Sequence, residues 1–381
     1  MYYHRVPVTV LLSQPPSCSL LLVPCSLLLA PCTIRAAMPV GYVYDPIYLE
    51  HDVPGHPESP GRLRAIVSHL ESAGMLGRMG QVPPRDATIE ELARVHAPAL
   101  VERVRAAADP YRDHWLDVDT YVVGKSFDAA LRSAGGVMAA ADAVLDGGVK
   151  SAFCLVRPPG HHATPGQAMG FCLFNNVAVA AAHLLEARGL SRVAIIDFDV
   201  HHGNGTQDIF YRDGRVLYFS THQHPFYPGT GYYNETGEGA GQGATVNVPL
   251  PAGCGDEPYL RAYREVCAPV VRRFRPEVIL VSAGFDAHFA DPLAQMLLST
   301  RGYFQIASLL RELAGELCEG RIVYALEGGY DHTALAWSVH ACIDTLLGNS
   351  FTEDPLGRGP TIRGPDVEAM LTAVKKAHAL E

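Results

Sequence analysis

Two carboxylates and a histidine alternate along one short stretch of the chain. Within Ile195–Gly205, an apolar run gives way to Asp197, Asp199 and His201 at every second position. Alternate residues of an extended chain lie on the same face, so these three side chains are predicted to point the same way. Buried ionisable groups are costly unless they pair or bind a metal, and no Lys or Arg lies in this stretch. The pattern therefore favours a metal site over a salt-bridge cluster at a strand end.

Apolar runs and helical segments alternate around this stretch. Strands are predicted at residues 40–44, 152–156, 193–196, 216–220, 278–282 and 322–326. Helices are predicted at 61–73, 100–108, 127–145, 175–188, 259–274, 303–317 and 335–347, with another beginning after Thr88 and a loop at 111–121. The alternation predicts an α/β fold, a single domain in which helices cover both faces of a mainly parallel β-sheet.

Four of the predicted strands end in reactive side chains. In order, they lead into Arg157–His162, Asp197–Gly205, Gly284–His288 and Glu327–Tyr330. Ligands of open α/β sheets bind beyond the carboxyl ends of the strands. A single strand end of this kind could be an ordinary polar loop, but four of them predict one shared site.

Composition limits the classes of partner. The chain has 381 residues, 48% hydrophobic and 18% charged, which is enough apolar sequence for a sizeable core. The formal net charge is -10 and there is no run of Lys or Arg, so neither nucleic acid nor an anionic membrane surface is expected as a partner. The 9 cysteines show no CxxC spacing, which favours a reducing, cytoplasmic location.

Residues 1–37 differ in composition from the rest of the chain. They contain no Asp, Glu or Lys, and four prolines interrupt their apolar runs, so a membrane-spanning helix is not expected. Arg5 precedes apolar residues as in a signal peptide, although prolines interrupt the apolar region that a signal peptide needs. Met38 stands directly before the first predicted strand. The prediction is a disordered leader or mis-called extension at 1–37 and a catalytic domain at 38–381.

The strand-end motifs resemble those of the histone deacetylase superfamily, whose members share the arginase-like α/β fold. The resemblance extends from about Tyr42 to Leu347 and includes all of the strand-end motifs in family order. Two further motifs belong to it, namely Gly170-Phe171-Cys172 and Pro228-Gly229-Thr230-Gly231.

The resemblance implies that Asp199, His201 and Asp286 ligate one divalent ion. Zn²⁺ is the expected ion, and Fe²⁺, Mn²⁺ or Co²⁺ would fit the oxygen-rich ligand set as well. The arginase branch of this fold binds two metals and needs a carboxylate two residues after Asp286. The residue at that position is His288, so a ureohydrolase with two metals is disfavoured.

The same resemblance assigns catalytic roles. His161 and His162 would together supply a general base and a general acid, with Asp197 holding the imidazole of His161, and Tyr330 would donate its hydroxyl to the oxyanion. Asn204 takes a position that is aspartate in class I members and Asn in class II-like and acetylpolyamine-type members. An amide orients its partner without adding charge, so we expect His162 to be neutral near pH 7 and fit to take a proton from water.

Further residues are implied to bind substrate and a monovalent cation. Phe171 and Tyr227 would form the walls of a narrow channel. Gly328 and Gly329 would let the Tyr330 loop approach the metal, and Asp119, with Asp117 as the alternative, would lie at the rim. The substrate-binding set is Gly170, Phe171, Tyr227, Asp119, Gly328 and Gly329. Asp197, Ser220 and Phe210 fall where family members bind K⁺.

The predicted function is hydrolysis of the amide of acetyl-lysine by a metal-activated water. An acetylpolyamine amidohydrolase is the alternative within the same chemistry. An alternative of another class is a catalytically inactive module that binds acyl-lysine, which would be expected to have lost a ligand, a histidine or Tyr330. The sequence does not indicate the oligomeric state.

Overall fold

Eight parallel strands form the central sheet of the computed structural model, which describes residues 1, 2, 4, 7, 9, 40–360 and 364–380. The strands of this sheet are β1 (Val40–Val43), β2 (Gly80–Gln81), β5 (Ser151–Cys154), β6 (Val193–Asp197), β7 (Val216–Gln223), β8 (Thr245–Leu250), β9 (Val278–Ala283) and β10 (Ile322–Leu326). Their order across the sheet is β2-β1-β5-β10-β9-β6-β7-β8. A separate antiparallel hairpin consists of β3 (His114–Trp115) and β4 (Tyr121–Val122).

Helices flank this sheet. They are α1 (Pro60–Ser72), α2 (Ile89–Leu92), α3 (Pro98–Ala107), α4 (Ser126–Leu145), α5 (Asn176–Glu186), α6 (Asn204–Phe210), α7 (Asp256–Ala262), α8 (Ala268–Phe274), α9 (Thr300–Leu317), α10 (His332–Leu347) and α11 (Glu368–Ala377). Helix α4 packs on β1, β5 and β10, and α5 packs on β6 and β9. Helix α10 packs between α1 and α9.

The sequence explains why the central strands are strands. Every residue of Val278–Ala283 and of Ile322–Leu326 is buried, and both are continuous apolar runs rich in β-branched residues. Such runs suit parallel strands that helices cover on both sides. Side chains cap two of the helices: Asn175 accepts the backbone N–H of Ala178 at the start of α5, which follows β5, and Asp331 accepts that of Ala334 at the start of α10, which follows β10.

The predicted α/β fold, a mainly parallel sheet with helices in a single domain, is confirmed, with local differences. The edge strand β8 was not predicted, because Asn247 and Pro249 interrupt its apolar pattern; proline is tolerated there because an edge strand has fewer ladder bonds to lose. The helices α6 and α11 were also not predicted. The helix predicted at 259–274 is interrupted by a π-helical turn at Tyr263–Cys267, and the predicted loop 111–121 contains the β3–β4 hairpin.

The chain divides into two units, Met1–Ala36 and Ala37–Glu381, and the second contains the sheet and the described helices. The predicted domain boundary at 37/38 and the start at Met38 fall outside the residues that the structure describes. The leader therefore stays a prediction. Over the described ranges, no helix combines the length and apolar character needed to cross a membrane.

Candidate active site

The four reactive strand ends meet at one edge of the sheet. Strands β5, β10, β9 and β6 are consecutive neighbours, so their carboxyl ends lie side by side, where ligands of open α/β sheets bind. A cavity of about 250 Å³ opens there. It is lined by Asp119, Pro159, His161, His162, Gly170, Phe171, Asp199, His201, Tyr227, Leu293, Gly328 and Tyr330.

Asp199, His201 and Asp286 form the one cluster of three or more potential metal ligands within the described ranges, and their ligand atoms lie within 4.8 Å of one another. The Nδ1 atom of His201 lies 3.1 Å from Oδ1 of Asp199 and 3.2 Å from Oδ2 of Asp286. Although it is buried, Oδ2 of Asp286 has no hydrogen-bond partner among the described residues. A buried carboxylate oxygen without a donor, facing a second carboxylate and an imidazole, fits a bound divalent cation.

Backbone groups orient the two carboxylates of this cluster. Oδ2 of Asp199 accepts the N–H of Gly328 at 2.8 Å, and Oδ1 of Asp286 accepts the N–H of Val200 at 2.9 Å. A Cβ atom at Gly328 would lie 2.6 Å from Oδ2 of Asp199, so only glycine fits at this distance. Burial lowers the pKa of His201, but without a bound cation the neighbouring carboxylates of Asp199 and Asp286 outweigh it and raise the pKa to about 10.

His161 and His162 lie side by side at the cavity and have different partners. Their ring centroids are 4.0 Å apart. The Nδ1 atom of His161 lies 3.1 Å from Oδ2 of Asp197, whereas Nδ1 of His162 lies 2.8 Å from the amide oxygen of Asn204. Asp197 also accepts the hydroxyl of Tyr218 at 3.2 Å.

The pKa values of the two imidazoles diverge accordingly. Burial lowers the pKa of His161, but the charges of Asp199 and Asp197 outweigh it and raise the pKa to about 10. Burial, followed by the charges of His161 and His201, lowers the pKa of His162 well below its usual value. One imidazole of the pair therefore favours the charged form and the other the neutral form.

Tyr330 lies across the cavity at the end of a glycine-rich segment. Gly329 has φ 117°, a conformation that favours glycine, and it directly precedes Tyr330. The guanidinium of Arg62 lies 5.0 Å from the centre of the Tyr330 ring. Burial raises the pKa of Tyr330 well above its usual value, so its hydroxyl stays protonated and can donate a hydrogen bond.

Aromatic side chains form the walls of the cavity. The ring of Tyr227 lies edge-on to His162 with centroids 5.1 Å apart, and the Phe171 ring lies 5.9 Å from that of Tyr330. Gly170 has φ 56°, and a Cβ atom there would lie 2.8 Å from Cγ of His162. The backbone N–H of Phe171 donates to the hydroxyl of Thr120 at 3.0 Å, which ties this wall to the β3–β4 hairpin.

The predicted rim and cation-site residues are placed as follows. Asp119 lines the cavity, and its backbone carbonyl lies 3.1 Å from Nε2 of His56. Asp117, its alternative, is not among the lining residues. Asp197 and Ser220 are paired in the β6–β7 register, while Phe210 ends α6 and its carbonyl accepts the N–H of Asp213 at 3.0 Å. The K⁺ site stays a prediction.

Several buried charged residues around the site were not predicted to have roles. Glu327 accepts the backbone N–H groups of Gly160 at 2.6 Å and His161 at 3.2 Å, so it holds the histidine loop to β10. Glu58 binds Arg157 through both carboxylate oxygens at 2.5 and 2.6 Å. The one sequence signal for this pair was an arginine directly after a buried strand, which needs an acidic partner.

Comparison with protein families identifies one domain in the chain. The family model "Histone deacetylase domain" matches residues 56–346. A protein named "Probable deacetylase" from Archaeoglobus fulgidus is 44% identical over 296 residues, which cover 77% of this chain and 82% of that protein. "Histone deacetylase 14, chloroplastic" from Arabidopsis thaliana is 42% identical over 355 residues, which cover 87% of this chain and 82% of that protein.

A solved structure has the same fold. The match is to a "Crystal Structure of HDA15 HD domain", with a TM-score of 0.81 and 39% sequence identity, over 91% of this chain and 94% of that one. The predicted arginase-like and deacetylase-like α/β architecture is thereby confirmed. The family model covers most of the chain, including every strand-end motif, and the relatives are similar over most of their own lengths. The chain therefore belongs to the histone deacetylase family, whose members are hydrolases.

Proposed function

We propose that the chain is a metal-dependent deacetylase that hydrolyses the amide of an acetyl-lysine side chain. The observation that carries this proposal is the pairing of two neighbouring imidazoles with unlike partners beside the Asp199–His201–Asp286 cluster. A hydrolase of amides needs one group that takes a proton from water and another that gives one to the leaving amine. The two histidines offer these two groups in one cavity.

The metal would be held by Asp199, His201 and Asp286, with Zn²⁺ as the proposed ion and Fe²⁺, Mn²⁺ or Co²⁺ as alternatives that this ligand set also fits. When bound, it would supply Lewis-acid polarisation of the substrate carbonyl and a lower pKa for water. His288 supports a single metal, because its Nδ1 accepts the N–H of Ala290 and its Nε2 lies 3.2 Å from the hydroxyl of Thr300.

The partners of the two histidines give each a role. The Nδ1–H of His162 donates to the Asn204 amide, which fixes the tautomer and leaves Nε2 free to accept a proton from the attacking water. The Nδ1–H of His161 donates to the Asp197 carboxylate, which favours the imidazolium, so His161 is the donor to the leaving amine. The opposite directions of their pKa shifts agree with this division.

Tyr330 is the proposed donor to the oxyanion that forms on the acetyl carbonyl. Its hydroxyl is protonated, and its ring lines the same cavity as both histidines. Phe171 and Tyr227 present flat rings that suit the methylene groups of an extended lysine side chain. Asp119 is the proposed rim residue that accepts hydrogen bonds from the substrate backbone. A cytoplasmic location and K⁺ binding stay predictions.

The test is hydrolysis of a fluorogenic acetyl-lysine peptide beside N-acetylputrescine, with Zn²⁺-loaded wild type and the Tyr330→Phe variant. We expect turnover of the peptide and a fall in kcat of roughly 10²- to 10³-fold in the variant, which loses an oxyanion donor. Turnover of N-acetylputrescine alone would replace the peptide substrate by a polyamine. Acetyl-peptide binding without turnover by any of the four metals would favour the inactive binding module.

A further inference from the structure

Arg62 and Asp199 hold the first part of the segment 327–331, which carries Tyr330. The guanidinium of Arg62 donates to the carbonyl of Glu327 at 2.5 Å and to that of Gly329 at 2.6 Å. Asp199 accepts the N–H of Gly328 at 2.8 Å. These bonds restrain the segment only up to Gly329. Glycine has a broad choice of backbone angles, so something beyond it must fix the direction of the Tyr330 side chain.

Asp291 holds the last part of the same segment. Its Oδ2 atom accepts the backbone N–H of Tyr330 at 2.6 Å and lies 3.3 Å from that of Asp331. Its Oδ1 atom accepts the N–H of Leu293 at 3.0 Å. Tyr330 and Leu293 both line the cavity, so one carboxylate links two of its walls.

The surroundings of Asp291 are unusual for a carboxylate that serves stability alone. The residue is 7% exposed, and no Lys, Arg or His forms an ion pair with it within the part of the chain that is described. Burial first, and the charge of Asp286 second, raise the pKa of Asp291 to about 7, whereas its backbone N–H donors favour the ionised form. A buried carboxyl without a cationic partner is costly to keep, so a specific use for its two acceptor oxygens is expected.

We propose that Asp291 is a positioning residue for Tyr330: its carboxylate fixes the backbone N–H directly after the flexible Gly328-Gly329 pair and so aims the tyrosine hydroxyl at the reacting carbonyl. The assignment rests on the proposed function, in which Tyr330 is the oxyanion donor. The same carboxylate also fixes the backbone N–H of Leu293, which lines the cavity. Asp291 is not among the residues that line the cavity, and it acts through Tyr330.

Substitution by asparagine is the sharpest perturbation of this link. Asn has nearly the same shape but one acceptor oxygen, and its NH₂ group cannot accept a backbone N–H. The Asp291→Asn variant therefore leaves either Leu293 or the Tyr330–Asp331 pair without its partner. A displacement of about 1 Å in a catalytic group costs on the order of 10²-fold in rate. We expect a fall in kcat of about that size with a smaller change in KM.

A double-mutant cycle with Tyr330→Phe separates positioning from general damage. If Asp291 acts through the Tyr330 hydroxyl, Asp291→Asn lowers kcat by less than about threefold once that hydroxyl is gone, because coupled residues are not additive. An equally large loss in both backgrounds, or no loss in the wild-type background, overturns the proposal. Should Asp291→Asn fail to fold, Asp291→Glu, which keeps the charge but moves the oxygens, replaces it in the same cycle.

Asp256→Asn is the matched control. Asp256 is also a carboxylate that ties two segments together, accepting the N–H of Ser299 at 2.8 Å and its hydroxyl at 2.7 Å, but neither residue lines the cavity. This variant is expected to lower the melting temperature and to leave kcat within about twofold, since the loss of one hydrogen bond affects stability only.

Amide hydrogen exchange tests the anchor without any substrate. In Asp291→Asn, the amides of Tyr330 and Asp331 are expected to exchange at least tenfold faster, while those of buried β10 are unchanged. Unchanged exchange at both amides overturns the proposal. If the wild type hydrolyses neither test substrate and yet the exchange accelerates, the proposed function has failed and the anchoring of Tyr330 stands.

Discussion

His161 and His162 are neighbours in the sequence, and the difference between a carboxylate and an amide at Nδ1 separates their chemistry. Asp197 ends β6, and Asn204 begins α6 seven residues later, so both partners come from the same strand-to-helix connection. That connection also carries Asp199 and His201. Two of the three proposed metal ligands and both histidine partners therefore lie on one connection, which sets their positions relative to one another.

The Asn204→Asp substitution tests the role of the amide. A carboxylate 2.8 Å from Nδ1 would favour the imidazolium of His162 and raise its pKa. A base with a raised pKa loses activity at a higher pH as the solution is acidified. We expect the acidic limb of the kcat/KM profile to move upward by about one pH unit, because a neutral amide has been replaced by a negatively charged carboxylate. An acidic limb that stays in place would contradict the assignment of His162 as base.

The sequence revealed those site residues that stand in a motif, either through local spacing or through the resemblance to a family. Asp199 and His201 alternate along one stretch, and the His161-His162 pair stands in a motif, so type and spacing were sufficient. Asp291 and Glu58 were missed because their partners Tyr330 and Arg157 lie 39 and 99 residues away. A single loop carboxylate has no local pattern, and only the folded chain shows which backbone N–H or guanidinium it meets.

At the scale of elements, one buried ionic network joins the start of α1 to the end of β5. Glu58 binds Arg157 through two oxygens and Arg62 at 3.0 Å, and its side chain is 0% exposed. Burial raises the pKa of Glu58, but Arg157 and Arg62 outweigh it and lower the pKa to about 2. The carboxylate is therefore charged at neutral and mildly acidic pH.

Glu58→Gln is expected to destabilise the protein strongly. The variant leaves two buried guanidinium groups without their counter-charge, which costs about 3–5 kcal/mol in the free energy of unfolding. Urea unfolding followed by circular dichroism measures this change. The control is Glu316→Gln, which removes an exposed pair with Arg272 and should change the free energy of unfolding far less than Glu58→Gln does. Similar losses in the two variants would show that the buried network contributes no more than a surface pair.

His96 joins three parts of the fold through hydrogen bonds of both ring nitrogens. It follows α2, its Nδ1 lies 2.9 Å from the carbonyl of Thr164, and its Nε2 accepts the N–H of Asn175, the cap of α5, at 2.9 Å. Protonation of Nε2 would remove that acceptor. Burial lowers the pKa of His96 to about 4, which the hydrogen bond to Thr164 only partly offsets.

A His96→Gln variant should therefore change the pH dependence of stability. The pKa of His96 is lower in the folded protein than the unfolded value of about 6.5. The stability that His96 contributes to the fold is therefore lost as the pH falls from 6.5 towards 4, and the loss is about 2 kcal/mol in the free energy of unfolding at pH 5. The variant is expected to be less stable than wild type at pH 7.5, and the gap should narrow by that amount at pH 5. The exposed His332 provides the control substitution, His332→Gln. A difference in stability between the variant and the wild type that stays constant across the pH range would contradict this prediction.

At the scale of the whole molecule, the regular parts of the fold followed from the sequence and the edges did not. The six predicted strands are present because their apolar runs are buried on both faces. The edge strands β2 and β8 are short or interrupted by polar residues, so their apolar signal is weak. Helix α11 was not predicted from the sequence. In the folded chain it packs on β8, and its residues Leu371 and Val374 are fully buried there.

A chain that begins at Met38 is expected to match the full chain in melting temperature and in kcat/KM. The unit Ala37–Glu381 contains the whole candidate site, and the family match begins at residue 56. A chain truncated before α11 is the control and should melt at a lower temperature, because it exposes the surface that Leu371 and Val374 cover. N-terminal sequencing of native protein provides a second measurement, and a mature terminus upstream of Met38 would refute the leader hypothesis.

The three proposed metal ligands lie on the connections that follow the neighbouring strands β6 and β9. A bound ion would therefore link these two connections. Without a cation, Asp199 and Asp286 place two buried carboxylates against one imidazole, and Oδ2 of Asp286 has no donor in the described chain. Dialysis against a chelator is therefore expected to lower the melting temperature as well as abolish activity, and Zn²⁺ should restore both. At a free Zn²⁺ concentration 100-fold above Kd the gain is about 2.7 kcal/mol. The Asp286→Asn variant should show no such Zn²⁺-dependent rise, and a rise equal to that of the wild type would place the ion elsewhere.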